Sequence, residues 1–453
     1  MRFFSTSLLA AVATLPKASF DPQGVYEFVF NVVPVGDDTV LRELKTLGPR
    51  RMIELGPGGV RDQPLAKPLP GQVARRPVAE HVAAHRERLS KLVAPFAERF
   101  GDRIFCPLSG GLDSRLVLAA LRAAGSRPRL YVYGAPSDGD VRVARQVAGA
   151  LGEEIDCIDK QGRGLPAPEA FPAQVERNFR DHDGLPNFGN IFESGADAAA
   201  RAARHAEGAL SVSGGCGEIF RNFFYLPDRP LPASAVARAF FARYRMKDVT
   251  QEFDERAFLR RIEDKMLEAL GRPGERGPLP RAAIEQLYPA IRCRSLFGRE
   301  ISLEARHGPY FMPFLEHPLV AAALTLPLGL KNAGRFEAML LADIDPGLAR
   351  LPSVYGHDFS GPPGFRQRLK EGATRARPIW LRQKSYALRR RLGPMGDEHG
   401  DLPPPEYLGR VIDLDFPVMR RFFRPEAIGD LAVLRRIANL EYLAARLGAR
   451  LEA

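Results

Sequence analysis

The chain has 453 residues, 45% of them hydrophobic and 26% charged, the composition of a globular protein long enough to bury a sizeable core over two or three domains. Disordered, collagen-like and disulfide-scaffold classes are excluded: Cys106, Cys157, Cys216 and Cys293 are widely spaced without a CxxC pair, so a reducing cytoplasm is the expected compartment. Lys and Arg outnumber Asp and Glu by 65 to 54, a net +11 that favours phosphates, nucleic acid or anionic substrates as partners.

Met1–Ser19 loosely imitates a secretory signal, but its basic start is thin and it runs without a polar break into Phe20–Val35, which reads as structure. No stretch approaches the ~20 apolar residues of a membrane span. Residues 1–69 read as a small α/β unit, with apolar runs at Val25–Val33 and Arg51–Leu55 and turn signals at 36–38 and 56–59. Pro64–Pro77, with four prolines, reads as a linker. Apolar spacing through Val82, Leu89, Leu92, Val93 and Phe96 predicts a helix over Glu80–Phe100.

From Arg103 to Lys160 the hydrophobic period switches repeatedly. The expected order is a strand at Arg103–Leu108, a Gly-rich turn at Ser109–Ser114, a helix at Arg115–Ala124 closed by Gly125, a strand at Arg129–Tyr133, a helix at Val141–Leu151 ended by Gly152, and a strand at Ile155–Ile158. That alternation predicts an α/β fold with a doubly wound parallel sheet, whose ligands bind beyond the carboxyl ends of the strands. The basic residues Arg366, Arg368, Lys370, Arg375, Arg377, Arg382, Lys384, Arg389, Arg390 and Arg391 then crowd one stretch, read first as a solvated helical face and second as a surface for a polyanionic partner.

Ser109-Gly110-Gly111-Leu112-Asp113-Ser114 follows a strand and opens a helix, so its N–H groups and the helix dipole favour an anion, and its glycines allow close backbone approach. It lacks the P-loop lysine pattern. Asp113 beside phosphates makes chemical sense with a bridging Mg²⁺, which takes one or two carboxylates plus phosphate oxygens. The alternative is a merely capped strand-to-helix turn.

Placed so, SGGLDS resembles the pyrophosphate-binding loop of the ATP-pyrophosphatase (PP-loop) enzymes, and more narrowly that of the synthetase domain of the asparagine synthetase family. Further segments carry the resemblance: Leu130–Gly134 with Asp140 and Ala144–Ala148; Val212-Ser213-Gly214-Gly215-Cys216-Gly217-Glu218-Ile219-Phe220; and Leu303-Glu304-Ala305-Arg306 followed by Pro313–Val320. The resemblance implies an adenine nucleotide alpha hydrolase-like sheet over residues 80–360, a basic helical extension over 361–453, and a remnant of a glutaminase-like domain over 1–69. It also implies an ATP-dependent ligase that adenylates a carboxylic acid and transfers it to ammonia or an amine of a small molecule, peptide or saccharide. By the same resemblance ATP meets Leu108, Ser109, Gly110, Gly111, Leu112, Asp113, Ser114, Tyr133, Gly134, Ser213, Gly214 and Gly215, Asp113 and Glu218 hold Mg²⁺, and Asp113, Glu218, Arg221, Glu304 and His357 form the catalytic set.

The chain also departs from that family. Gly217 stands where an Asp is usual, and Leu351-Pro352-Ser353-Val354-Tyr355-Gly356-His357-Asp358 lacks the usual lysine. Arg221 is the expected fixed cation in its place, and His357 a stand-in hydrogen-bond donor. The glutaminase nucleophile expected after the first methionine is replaced by Arg2, so no internal ammonia supply is expected. Glu304 and Arg306 read either as a structural ion pair or as substrate contacts. Asp181-His182-Asp183 and His307 read as loop residues, Cys216 as packing, and Trp380 and Tyr386 as helix packing. Two other classes stand beside the ligase: a degenerate, non-catalytic nucleotide-binding or scaffold protein with a partner protein as its ligand, and a PP-loop enzyme acting on nucleic acid.

Overall fold

The computed structural model describes residues 3–65, 67–382 and 402–452. Its centre is a five-stranded, all-parallel sheet in the order β5-β4-β3-β6-β7. The strands are β3 (Ile104–Pro107), β4 (Arg129–Tyr133), β5 (Ile155–Ile158), β6 (Leu210–Val212) and β7 (Tyr310–Phe311). The chain enters at the middle strand, winds out to β5, then returns to lay β6 and β7 on the other side of β3. That reversal between β3 and β6 is the topological switch point, and both strands deliver a Gly-rich turn to the same carboxyl edge.

Period switching placed these elements well. Helix α3 spans Val78–Phe100, α4 Leu112–Ala123 and α5 Gly139–Leu151. Helix α4 is nine-residue buried from Leu112 to Leu121 because it lies on the sheet, and α5 stops where Gly152 takes a left-handed conformation at φ 71°. The largest shift is at the start of α4: Leu112, Asp113 and Ser114 form its first turn rather than the loop before it.

The amino-terminal region is helix α1 (Leu8–Ala13), helix α2 (Pro22–Asn31) and a hairpin of β1 (Arg51–Gly56) with β2 (Gly59–Pro64). Val25–Val33, read as an apolar run, falls mostly in α2, and eight of the ten α2 residues are buried. Tyr26 and Phe30 pack among Tyr244, Phe253, Phe258 and Phe423, with Tyr26 to Phe253 at 4.8 Å in edge contact. Beneath them Lys265 Nζ lies 2.8 Å from both oxygens of Glu27, a wholly buried pair. The hairpin, by contrast, is almost entirely exposed.

The segment after 361 divides into two kinds of structure. Phe365–Ala376 is a helix with no buried residue. Leu431–Leu447 is a 17-residue core helix with eleven buried residues, and it packs on α2. Ala18 N–H donates to Arg450 O and Glu452 N–H to Ala18 O, both at 2.8 Å, so the two ends of the described chain are tied together. Lys384, Tyr386 and Arg389 to Arg391 lie outside the described residues. Among the described residues no helix is long and apolar enough to cross a membrane.

Candidate functional site at the sheet switch point

Ser109–Ser114 sits at the carboxyl end of β3, and its polar groups are arranged around each other. Ser109 N–H donates to Ser114 Oγ at 3.0 Å, Gly111 N–H to Ser109 Oγ at 3.2 Å, and Gly110 N–H to Asp140 Oδ1 at 2.8 Å. Three turn amides are therefore engaged by protein oxygens, one of them a carboxylate oxygen. The first-turn amides of α4 carry no side-chain cap, so the donors that remain for a ligand are those of the helix N-terminus. Leu108, just before the turn, is wholly buried and serves packing, its N–H donating to Tyr131 O at 2.8 Å.

The segment 351–359 covers this turn. Val354 N–H donates to Gly110 O at 3.2 Å, and a Cβ on Gly110 would strike the Val354 side chain. The close approach that requires glycine here is thus to protein. At Gly111 a Cβ would meet only ordinary contacts, among them the Tyr355 hydroxyl at 3.6 Å. Arg115, fully buried on α4, holds the segment by donating to Leu351 O at 2.9 Å and to Pro352 O, with its guanidinium 5.0 Å from the Phe359 ring. Burial draws this guanidinium down to about 10. His357 lies in the same segment, its ring Nδ1 3.2 Å from Tyr355 O.

The second turn follows β6 and interlocks with the first. A Cβ on Gly214 would come within 2.9 Å of the Asp113 carbonyl carbon and of Ser114 N, one on Gly215 within 2.9 Å of the Phe297 ring, and one on Gly217 would collide with the Asp113 carboxylate. Any side chain at 217 would therefore require the Asp113 carboxylate to move from where it stands. Ser213 Oγ accepts from Gly215 N–H at 3.0 Å. Glu218 accepts the Tyr288 hydroxyl at 2.6 Å.

Arg221 links the two turns. It donates to Asp113 Oδ1, and its Nε donates to Glu337 Oε2 at 3.0 Å. Burial opposes the guanidinium charge, but Asp113 and Glu337 outweigh it and hold Arg221 protonated well above its usual range. Glu337 is wholly buried; burial, reinforced by neighbouring Asp113, pushes its carboxyl well above the ordinary range, against the pull of Arg221. Sequence reading missed Glu337. Its only signal is an acid in the first turn of the largely apolar helix Arg335–Ile344.

Tyr133 and Gly134 end β4 at the same edge. The Tyr133 ring carries Lys160 Nζ 3.8 Å from its centroid, and its hydroxyl accepts from Arg204. Lys160, from the loop after β5, was not singled out in the sequence; it pairs with Asp197. Glu304 is 1% exposed and both its oxygens are engaged, Oε1 by Arg201 and Arg204 at 2.7 Å each, Oε2 at 3.0 Å from His205 Nε2. Arg306 donates to the carbonyls of Arg180 and Asp181 and lies 3.3 Å from Asp183. His182 is buried, and desolvation lowers it to about 3. Among the described residues no three His, Cys, Asp or Glu side chains converge as a metal cluster.

The structure therefore brings Ser109–Ser114, Ser213–Glu218, Arg221 and Tyr355 together at one edge of the sheet, with Glu337 beneath them, while Glu304 belongs to a buried charge network. A comparison of the chain with models of known protein families finds no match. A comparison with curated proteins likewise finds no match.

Proposed function

We propose that this chain binds ATP at the switch point and activates a carboxylic acid for amide formation. The observation that carries the reading is the pair of interlocked Gly turns after adjacent parallel strands, with uncapped helix amides and Arg221 between them. A carboxylate oxygen would attack the α-phosphorus of ATP, the α–β phosphoanhydride bond would break, and pyrophosphate would leave. Ammonia or an amine would then attack the acyl carbon, release AMP and lose a proton. The amides of Leu112, Asp113 and Ser114 and the Arg221 guanidinium would stabilise charge on the departing pyrophosphate, each well-placed donor contributing about 3–4 kcal/mol.

Asp113 and Glu218 are the carboxylates that would hold a magnesium ion. Two carboxylates suit that ion when phosphate oxygens complete its shell, and Arg221 on Asp113 is the competing cation. When bound, the ion would supply positive charge against the developing charge of the leaving pyrophosphate. Asp140 must release Gly110 N–H before a phosphate can use it.

A second reading, nucleotide binding without turnover, is favoured by the Asp113–Arg221 pair and by Asp140 on the Gly110 amide. Exchange of labelled pyrophosphate into ATP, run with a library of carboxylic acids, separates the two. The ligase reading expects acid-dependent exchange that Asp113→Ala lowers at least about a hundredfold. ATP binding with no exchange for any acid supports the second reading.

A further inference from the structure

The helix Phe365–Ala376 is amphipathic in the reverse sense. At about 3.6 residues per turn, Phe365, Leu369, Ala373 and Ala376 fall within an arc of about 80°. All four are exposed, Phe365 at 70% and Leu369 at 61%. The opposite side carries Gln367, Glu371 and Thr374, each half-buried, and this polar side meets the protein: Glu371 Oε2 accepts Ala333 N–H at 2.6 Å, and the Gln367 amide oxygen is buried. A helix lying on a core turns its apolar stripe inward, so an outward stripe marks a surface made for another partner.

Charge says which partner. Arg366 and Lys370 border the stripe along one edge and Arg368 along the other, all three exposed, and among the described residues none of them is engaged by an acid. The surrounding sequence has the same sign: from Phe365 to Arg391 ten residues are Lys or Arg, and the one acid, Glu371, is turned onto Ala333. An apolar stripe between cations complements a partner that is apolar below an anionic surface, as a bilayer containing acidic lipid is. A protein interface is depleted in lysine and other charge at its core, and a duplex nucleic acid would satisfy the cations while burying neither Phe365 nor Leu369.

We propose that this helix docks the protein on an anionic membrane surface, with Phe365 and Leu369 entering the boundary between headgroups and acyl chains and Arg366, Arg368 and Lys370 reaching the lipid phosphates and carboxylates. Interfacial helices lie in the membrane plane with the apolar face sunk roughly 5–10 Å, and they bind through apolar area and attraction to acidic lipid together. Long basic side chains lay their methylenes along the apolar stripe while their charges reach the headgroups. Glu371 on Ala333 keeps the polar side of the helix against the protein, which leaves the apolar side outward without any rearrangement.

Flotation of the full chain with vesicles of phosphatidylcholine alone, and of phosphatidylcholine mixed with phosphatidylserine, tests the proposal. Affinity for the serine-lipid vesicles is expected to be at least about tenfold higher than for the neutral ones and to fall as salt is raised. Trp380, the single tryptophan of the chain, lies just beyond the helix and is 61% exposed, so its emission should shift to the blue on the same vesicles. Leu369→Gln, and Arg366→Gln combined with Lys370→Gln, should each weaken binding to the serine-lipid vesicles at least about tenfold, with melting temperatures close to wild type because all three positions are exposed. No flotation with either vesicle, equal flotation with both, or unaltered flotation of Leu369→Gln overturns the proposal. So does a duplex DNA oligonucleotide that binds wild type and Leu369→Gln equally and more tightly than the vesicles do, or a dimer in solution that Leu369→Gln dissolves. Flotation needs no nucleotide, so its failure leaves the ligase reading standing and failure of pyrophosphate exchange leaves this one standing.

Discussion

Asp113, Arg221 and Glu337 form a hydrogen-bonded chain in which the middle member is shared, and this sharing sets what each substitution should do. Gly217→Ala drives a Cβ into the Asp113 carboxylate and should destabilise by about 1–3 kcal/mol, read as a lower melting temperature. An unchanged melting temperature would show that Asp113 moves away freely. Glu337 gives a pH prediction. Its folded carboxyl titrates above its ordinary value of 4.5, so between the two values the unfolded chain binds fewer protons and stability falls as pH rises. Glu337→Gln cannot ionise, and its melting temperature should therefore fall less steeply with pH above about 5 than that of wild type. Parallel profiles would contradict the assignment. Legibility at this scale was uneven: Asp113, Asp140, Glu218, Arg221 and Tyr355 all stand in segments that the sequence singles out, whereas Glu337 meets Arg221 across a separation of 116 positions and leaves no local pattern.

Among the elements, the strands and helices from α3 to β5 were readable because each switch between a period of 2 and one of 3.6 coincides with a Gly-marked turn. The start of α4 was read three residues late, since Leu112, Asp113 and Ser114 look like loop but form a helical turn stabilised by packing on Gly214. The π-helix Tyr288–Phe297 was invisible, because widening a helical turn changes hydrogen bonding without changing residue type. The cover over the first turn gives the prediction for this scale. Arg115→Met removes two charge-assisted bonds to the carbonyls of Leu351 and Pro352 and the stack on Phe359, and should cost about 3 kcal/mol while speeding amide exchange across 353–359. Unaltered exchange there would mean that Val354 and Tyr355 hold the cover without Arg115.

Over the whole molecule, the apolar core runs through both ends of the described chain. Helix α2 reads as a short apolar run and Leu431–Leu447 falls within the helical extension expected over 361–453; what neither reading reveals is that they are partners some 400 positions apart in sequence, since Arg436 reaches Val29 O across a separation of 407. The aromatic group around Tyr26 carries this union. Phe423→Ala, which opens a cavity against Tyr26 and Phe30, should cost about 3–5 kcal/mol and lower a single melting transition for the chain. Two separate transitions would instead show that the amino-terminal region melts by itself.

A structure with α,β-methylene-ATP and Mg²⁺, whose α–β bridge cannot be cut, tests the central claim most directly. The account predicts the β- and γ-phosphates on the amides of Ser109–Ser114, with the Asp140 carboxylate withdrawn from Gly110 N–H and Arg221 turned toward phosphate. Nucleotide bound elsewhere, with Asp140 still on Gly110, would contradict it.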